Sequence, residues 1–364
     1  VDPSRAIDAW REVLHADPSD DHALSQLERL FESEGRWKDA VHHYTDRLAR
    51  LDGAAKLQTW MRIAEIQRDE LRDHAAAMTT YTELLRARPD HRAASAALET
   101  LLREQELHDA LAALLLDRVE HQESPEERHS TLRELASVYL NHLEQPTNAF
   151  LVLQKAASER PRELSTRAEL ERLAGSTGMW SDLLDTYDTV LEHLAGVEAR
   201  DLTVRAAELV VEHLSRPQVA VGYYSRALAI DPDHDTSMRA MAKLCAELGR
   251  WVELGELLGR LIERTRDFTE QQELLHRLAQ LQERELGDPS GAISTWYRIL
   301  DNDPLVRQAI ENLERLHTRA GQWEAVVEIL ERRTQIEPGE AVNIALRIGD
   351  VLRQELARPD DAIE

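Results

Sequence analysis

The sequence predicts an all-α array of antiparallel helix pairs, and three observations carry that prediction. Gly and Pro are scarce, at 14 and 12 of 364 residues, so few residues interrupt helices. Most of the prolines recur at intervals of 71 or 72 residues. Between them, apolar residues follow the spacing of one helix face. An array of this kind lengthens by stacking and needs no single large core.

Two interleaved proline ladders set the period of the array. The first runs through Pro18, Pro89, Pro161, Pro232 and Pro304, and the second through Pro146, Pro217, Pro289 and Pro359, with Pro3 in its register. Prolines of the first ladder follow a helix and end it, because Pro disfavours helical geometry in the residue before it. Those of the second ladder stand where a helix begins. The repeat of about 72 residues therefore holds two helix pairs.

One pair is read directly from residues 199–231. The apolar face of its first helix is formed by Leu202, Ala206, Leu209 and Val210. Pro217 opens its second helix, whose face is formed by Ala220, Tyr224 and Ala227, and Pro232 follows its end. In the alternate pairs a Gly cap ends the first helix two residues before a Trp, as in Gly249 and Trp251. The same spacing joins Gly35 to Trp37, Gly178 to Trp180 and Gly321 to Trp323, with Leu107 assigned to the vacant Trp position.

A column of small residues marks the closest approach of paired helices. Its members are Ala64, Ala136, Ala207, Ala279 and Gly349. Helices packed 8–10 Å apart need a small residue where their backbones come nearest. Large residues then fill the space between pairs, at Trp10, Tyr81, Leu153, Tyr224 and Trp296.

These units resemble tetratricopeptide repeats along the whole chain. The second-helix pattern of that family appears intact at Ala220, Tyr224, Ala227 and Pro232. The resemblance implies a right-handed superhelical solenoid of about ten units whose first helices line a concave groove. Two departures occur: alternate units carry one extra residue in the turn, and Glu replaces the small residue of the first helix at Glu28, Glu99, Glu171 and Glu314.

The chain begins and ends inside a unit. Asp2 to Ile7 match Asp288 to Ile293, and Pro359 to Ile363 start the same element again. We expect one continuous solenoid over 1–364, cut from a longer protein, whose uncapped terminal helices offer a surface for end-to-end self-association. Arginine far outnumbers lysine, which indicates a GC-rich, bacterial genome, and long bacterial arrays are similar.

Charge and composition exclude several classes of partner and site. The net charge of −24 disfavours nucleic acid, and with it an RNA-binding helical repeat, because phosphate binding needs clustered positive charge. No stretch reaches 18 apolar residues, so we expect no membrane insertion. Cys245 is the single cysteine, and its apolar neighbours predict that it is a small buried apolar residue. A cytoplasmic location is expected, although a targeting signal ahead of Val1 is left open.

The sequence carries no pattern for catalysis, for a cofactor or for a metal. The fifteen histidines include no His-Glu-x-x-His motif, and acidic runs lie at helix starts, where they cap N–H groups. A phosphate loop and a nucleophile elbow are both absent. We therefore expect a protein that is not an enzyme.

Charged positions recur on the first helices, where the resembled family binds its partners. The basic column consists of Arg29, Arg172, Lys243 and Arg315, with Thr100 in the remaining place. The acidic column consists of Glu65, Glu208 and Asp350, with Ser137 and Gln280 in the remaining places. Either the two columns pair with each other, or they form a polar ladder that grips an extended peptide or helix.

Two functions follow from this pattern. The first is a non-catalytic scaffold that binds a peptide or protein through its groove or its terminal surfaces. The alternative is the substrate-docking or regulatory arm of a larger enzyme whose catalytic domain lies outside this chain. A catalytic domain in the flanking sequence would favour the second.

Overall fold

The computed structural model describes residues 3–358, 360 and 361. All regular secondary structure in these residues is helical. They form twenty α-helices and no strand, which confirms the all-α prediction. Asp2, Pro359, Ala362 and Ile363, which the repeat pattern included, lie outside the described residues. Contacts between Cα atoms divide the chain into two compact units, Val1–His193 and Leu194–Glu364. We call them the N-terminal and the C-terminal unit.

The N-terminal unit contains eleven of the described helices. They are α1 Pro3–Ala16, α2 Asp21–Ser33, α3 Trp37–Leu48, α4 Gly53–Glu65, α5 His74–Ala87, α6 Arg92–Glu104, α7 His108–His121, α8 Pro125–Asn141, α9 Pro146–Glu159, α10 Leu164–Thr177 and α11 Trp180–Leu191. Helix α4 continues into a π-helical turn over Ile66–Glu70.

The C-terminal unit contains the other nine described helices. They are α12 Gly196–Leu209, α13 Pro217–Ile230, α14 Asp235–Leu248, α15 Trp251–Arg264, α16 Phe268–Arg284, α17 Pro289–Asn302, α18 Arg307–Ala320, α19 Trp323–Ile336 and α20 Ala341–Gln354. Helix α12 also ends in a π-helical turn, Val210–Leu214, and a short 3₁₀ turn, Pro338–Glu340, precedes α20. Within each unit, every helix packs on the helix that follows it in the chain, as in a helical-repeat solenoid.

The predicted helix boundaries are confirmed by the turns. Pro146, Pro217 and Pro289 each stand at the first position of a helix. Gly178 and Gly249 cap α10 and α14 with φ angles of +76° and +68°, in the left-handed region that favours glycine.

The assignment of Leu107 to the Trp column is wrong by one residue. Glu106 takes the left-handed conformation, with φ of +54°, in the place that Gly occupies in the other turns. The Trp lies two residues after the left-handed residue, so the equivalent position is His108, the first residue of α7. The His108 ring stacks on the His142 ring, with centroids 4.1 Å apart, whereas Leu107 is 42% exposed.

The small-residue column lies in the interior as predicted. Ala64, Ala136, Ala207 and Ala279 are all buried, and Gly349 is half-buried. The large residues that follow are buried as well, at Tyr81, Leu153, Tyr224 and Trp296. Trp10 of α1 is half-buried.

Substituting the small column should destabilise the fold. The Ala207 side chain is buried where α12 packs on α13, so Ala207→Leu should overpack the pair and lower the free energy of unfolding by about 1–3 kcal/mol. The control Glu212→Gln changes a half-exposed side chain and should stay within about 0.5 kcal/mol. Equal losses in urea unfolding would contradict the packing role.

Relieving the left-handed residue should stabilise the fold. Glu106→Gly removes the steric conflict of a side chain at positive φ and should raise the free energy of unfolding by up to about 1 kcal/mol. Gly249→Ala introduces the same conflict and should lower it by a similar amount. The methyl group has room beside Trp251, at 3.8 Å, so backbone strain is the cause under test. Thermal and urea unfolding that moved both variants in the same direction would refute this account.

Candidate partner-binding face

The first helices of successive pairs lie side by side in each unit, and we call their exposed surface the first-helix face. They are α2, α4, α6, α8 and α10 in the N-terminal unit, and α12, α14, α16, α18 and α20 in the C-terminal unit. Ion pairs join neighbouring first helices: Arg62 to Glu32 (2.9 Å), Arg103 to Glu134, Arg133 to Glu169 (3.8 Å), Arg239 to Glu270, Arg315 to Glu283 (2.5 Å) and Arg347 to Glu314 (2.6 Å).

The four basic positions predicted from the sequence are all exposed. Arg315 reaches across to the Glu283 carboxylate of α16, and Arg172 lies 4.0 Å from Glu169 on its own helix. Across residues 3–358, Arg29 and Lys243 have no carboxylate within ion-pair distance. Two of the four basic side chains are therefore available for a partner.

The three acidic positions are engaged on their own helices. The carboxylates of Glu65, Glu208 and Asp350 pair with Arg62, Arg205 and Arg353, at 3.5, 3.1 and 3.0 Å. Each arginine lies three residues from its carboxylate, a spacing that places both side chains on one side of a helix.

In the described residues, the basic column and the acidic column do not pair with each other. Ion pairs do cross from one first helix to the next, as that interpretation required, but Arg315 is the single member of the basic column in them. The acidic column takes no part in these crossings, because an arginine on the same helix is nearer. The basic column is correspondingly less neutralised than the sequence alone indicated.

A second set of ion pairs, missed at the sequence level, lies inside the alternate helix pairs. Glu28, Glu99 and Glu314 replace the small residue of their first helices. Each accepts a hydrogen bond from an arginine 19 residues later in the second helix: Arg47 at 2.5 Å, Arg118 at 2.6 Å and Arg333 at 2.9 Å. The Glu314 side chain is only 6% exposed, so its charge needs this partner.

The sequence does contain a signal for these pairs. In the fourth alternate pair the glutamate position is Ala242, and the arginine position is Leu261, and both are buried. In the third, Val190 takes the arginine position, and the Tyr187 hydroxyl donates to Glu171 at 2.6 Å instead. The two positions thus change together along the chain, which comparison of the internal repeats can detect.

The two residues of the ion pair between neighbouring first helices also change together from one repeat to another. Glu32 of α2 accepts from Arg62 of α4, and the equivalent positions of α6 and α8 are Arg103 and Glu134, with the charges reversed. Tyr44 donates to Glu32 at 3.0 Å, and its equivalent beside Arg103 is Leu115, which has nothing to donate. The Arg62 hydrogen bond holds the pKa of Glu32 below its usual range.

At the α6–α8 contact two carboxylates lie close together. Burial, followed by the neighbouring Glu99 carboxylate, raises the pKa of Glu134. Burial is the largest influence on Glu99 as well and opposes its ionisation, but the hydrogen bond and charge of Arg118 together with the hydrogen bond from Arg103 lower the pKa of Glu99. Arg103 bridges the two groups.

The described residues give little support for a metal site, a reactive thiol or a membrane-spanning helix. They contain no cluster of three or more His, Cys, Asp or Glu side chains arranged to hold a metal ion. Burial raises the pKa of the Cys245 thiol, which disfavours the reactive thiolate. None of the described helices combines the length and the apolar character that crossing a membrane requires.

Comparison with known families identifies repeats at three places. Two family models, both described as tetratricopeptide repeat, match the chain: one at residues 23–55 and 309–341, the other at 58–91. Each matched segment begins in a first helix and covers the second helix of the same pair. None of the curated protein sequences matches the chain.

The solved structures that match the chain share little of its sequence. A complex entitled Naa15/Naa10 bound to HypK-THB has 13% identity over 99% of this chain and 59% of that chain, with a TM-score of 0.34. The chain thus spans about three fifths of that structure's length. YrrB, entitled a TPR protein with an unusual peptide-binding site, has 13% identity over 54% and 96%, with a TM-score of 0.31. MamA has 12% identity over 49% and 93%, also with a TM-score of 0.31.

The buried ion pair should behave as a coupled unit. Arg47→Leu strands the Glu28 carboxylate, which is 16% exposed, and should lower the free energy of unfolding by about 1–3 kcal/mol. Adding Glu28→Ala reproduces the natural combination of Ala242 and Leu261 and should recover most of that loss. Urea unfolding of the two single variants and the double variant measures the coupling. Single losses that summed to the double within about 0.5 kcal/mol would show the residues to be independent.

Proposed function

Because the chain is a tetratricopeptide-repeat protein, we propose that it is a non-catalytic scaffold that binds a peptide or protein on its first-helix face. The observation that carries the proposal is the state of the basic column on that face. Arg29 and Lys243 are exposed, and the described residues offer them no carboxylate. A side chain that stabilises no internal contact is free to take an acidic group of a partner.

The surrounding contacts support this assignment by holding the face in place. Ion pairs such as Arg62 with Glu32 fix the spacing of the first helices. The face is therefore already ordered, and binding of a partner costs little conformational entropy. The recurrence of basic positions at intervals of 71 or 72 residues matches a segment that runs along several repeats. An acidic or mixed-charge segment suits this face, whereas the net charge of −24 disfavours nucleic acid.

We also propose that the two units form one continuous solenoid over 1–364. The repeat columns support this, because Pro161 and Pro232 keep the same interval across the unit boundary as within either unit. Gly178 and Gly249 keep it too. In the proposed assembly the terminal helices offer a second contact surface, for end-to-end self-association.

Charge reversal on the first-helix face should weaken binding. A partner is first captured with the chain as bait and identified by mass spectrometry. The double variant Arg172→Glu with Lys243→Glu should then raise the Kd at least about tenfold, or 1.4 kcal/mol, because attraction becomes repulsion. Added salt should reduce the affinity of the unmodified chain, since exposed charges are screened beyond about 8 Å at physiological ionic strength.

The matched control makes the same change of charge on second helices. Lys38→Glu with Lys155→Glu alters exposed residues of α3 and α9 and should leave the Kd unchanged. Binding that survived the first double variant, or that fell equally in both, would refute the assignment to the first-helix face.

A further inference from the structure

Two basic residues of the C-terminal unit lack a partner at the contact between α14 and α16. Lys243 of α14 and Arg277 of α16 are both exposed, and neither forms an ion pair or a side-chain hydrogen bond with the described residues. The two helices are neighbours, because Arg239 of α14 pairs with Glu270 of α16. The equivalent positions of the other repeats explain why both charges are left without a partner.

Arg277 has lost the acceptor that its equivalent in α20 uses. In α20 the equivalent residue, Arg347, pairs with Glu314 of α18 at 2.6 Å. In α14 the position of Glu314 is Ala242, which is buried with Leu261 where the other pairs have a glutamate and an arginine. The substitution that makes the interior of this helix pair apolar therefore also removes the carboxylate that Arg277 would bind.

A second acceptor is missing at the same contact. In α4, Arg62 is equivalent to Arg277 and pairs with Glu32 of α2 at 2.9 Å. The position of Glu32 is Ala246 in α14. Of α2, α6, α10, α14 and α18, only α14 has no charged residue at either of the two acceptor positions.

Lys243 lacks a partner among the described residues for a similar reason. Its equivalent in α18, Arg315, pairs with Glu283 of α16 at 2.5 Å. The position of Glu283 is Val211, in the turn that follows α12, and the Val211 side chain is 43% exposed. Both positive charges are therefore uncompensated because apolar residues replace the acidic side chains of the repeat.

The geometry of the repeat brings the two charges to one place. The ion pair of Arg347 with Glu314 shows that this arginine reaches back to the preceding first helix at the glutamate position. The same geometry puts Arg277 beside Ala242, and Lys243 is the next residue of that helix. Since neighbouring helix axes lie about 8–10 Å apart, one acidic segment can reach both cations.

We infer that the α14–α16 contact is a subsite for two acidic side chains of the bound partner, with Lys243 and Arg277 as its cations. The guanidinium group can hold one carboxylate through two parallel hydrogen bonds, and the ammonium group binds the other as a point charge. In an extended segment, acidic residues two positions apart lie on one side, about 6.6 Å from each other, and can reach both. The inference rests on the proposed scaffold function and narrows it to a Glu-x-Glu type of segment.

Short peptides and the full chain test the subsite. Acetyl-Gly-Glu-Ser-Glu-Gly amide is titrated into the chain at low salt, and the backbone amide signals of α14 and α16 are followed by NMR. They should shift with a Kd on the order of millimolar, because each exposed charge pair contributes little. The peptide with Gln in place of both Glu residues should bind at least tenfold more weakly. Equal binding of the two peptides would overturn the inference.

Variants locate the site. Arg277→Gln should weaken binding of the acidic peptide about fivefold. The control Arg298→Gln, an exposed arginine of α17 that forms no ion pair with the described residues, should leave it unchanged. Ala246→Glu supplies the acceptor that Glu32 provides for Arg62 and should abolish peptide binding although both cations are kept. Unfolding midpoints establish that each variant is folded. Peptide binding that persisted in both Arg277→Gln and Ala246→Glu would overturn the inference.

The captured partner separates this inference from the proposed function. A partner that binds Arg277→Gln and Ala246→Glu as tightly as the unmodified chain, but loses affinity for Arg172→Glu with Lys243→Glu, would refute the subsite and leave the scaffold standing. Binding of the acidic peptide at α14 and α16, together with failure to capture any protein, would refute the scaffold alone.

Discussion

The structure depends on how closely two antiparallel helices approach within each pair. Ala64, Ala136, Ala207 and Ala279 are buried at these approaches, and large side chains such as Tyr81 and Trp296 close the space beside them. One pair cannot bury both of its faces, so each pair must stack on the next. Growth by stacking of pairs, in place of one large core, follows from this requirement.

In the alternate pairs, a glutamate–arginine ion pair takes the place of the small residue. Where Glu28, Glu99 or Glu314 occupies the small-residue position, an arginine of the second helix accompanies it into the interior. Breaking such a pair strands a buried charge, whereas removing both members is tolerated, as Ala242 and Leu261 illustrate. A substitution at one of these positions therefore requires a matching substitution at the other, as the differences between the internal repeats show.

The first-helix face combines internal pairing with available charge. Most of its carboxylates are held by arginines of the same or the neighbouring first helix, which orders the face without neutralising it completely. Arg29 and Lys243 remain exposed, and the α6–α8 contact replaces an arginine of the repeat with Glu134. A partner with acidic groups would complement the exposed basic side chains. Positions that depart from the repeat are thus the most informative about specificity.

The sequence by itself determined the fold class, the period, the helix boundaries marked by Pro and Gly, and the buried columns, because these depend on local geometry repeated many times. It misplaced the Trp position at Leu107 by one residue, although the intervals of 71 and 72 residues from Trp37 and to Trp180 lead to His108, which the left-handed conformation of Glu106 confirms. Only the tertiary structure decided which charges pair. Glu65, Glu208 and Asp350 each have an arginine three residues away as well as basic residues on neighbouring helices, and side-chain distances select between them. The ion pair of Arg103 with Glu134 likewise joins residues that are 31 apart in the chain and that stacking brings together.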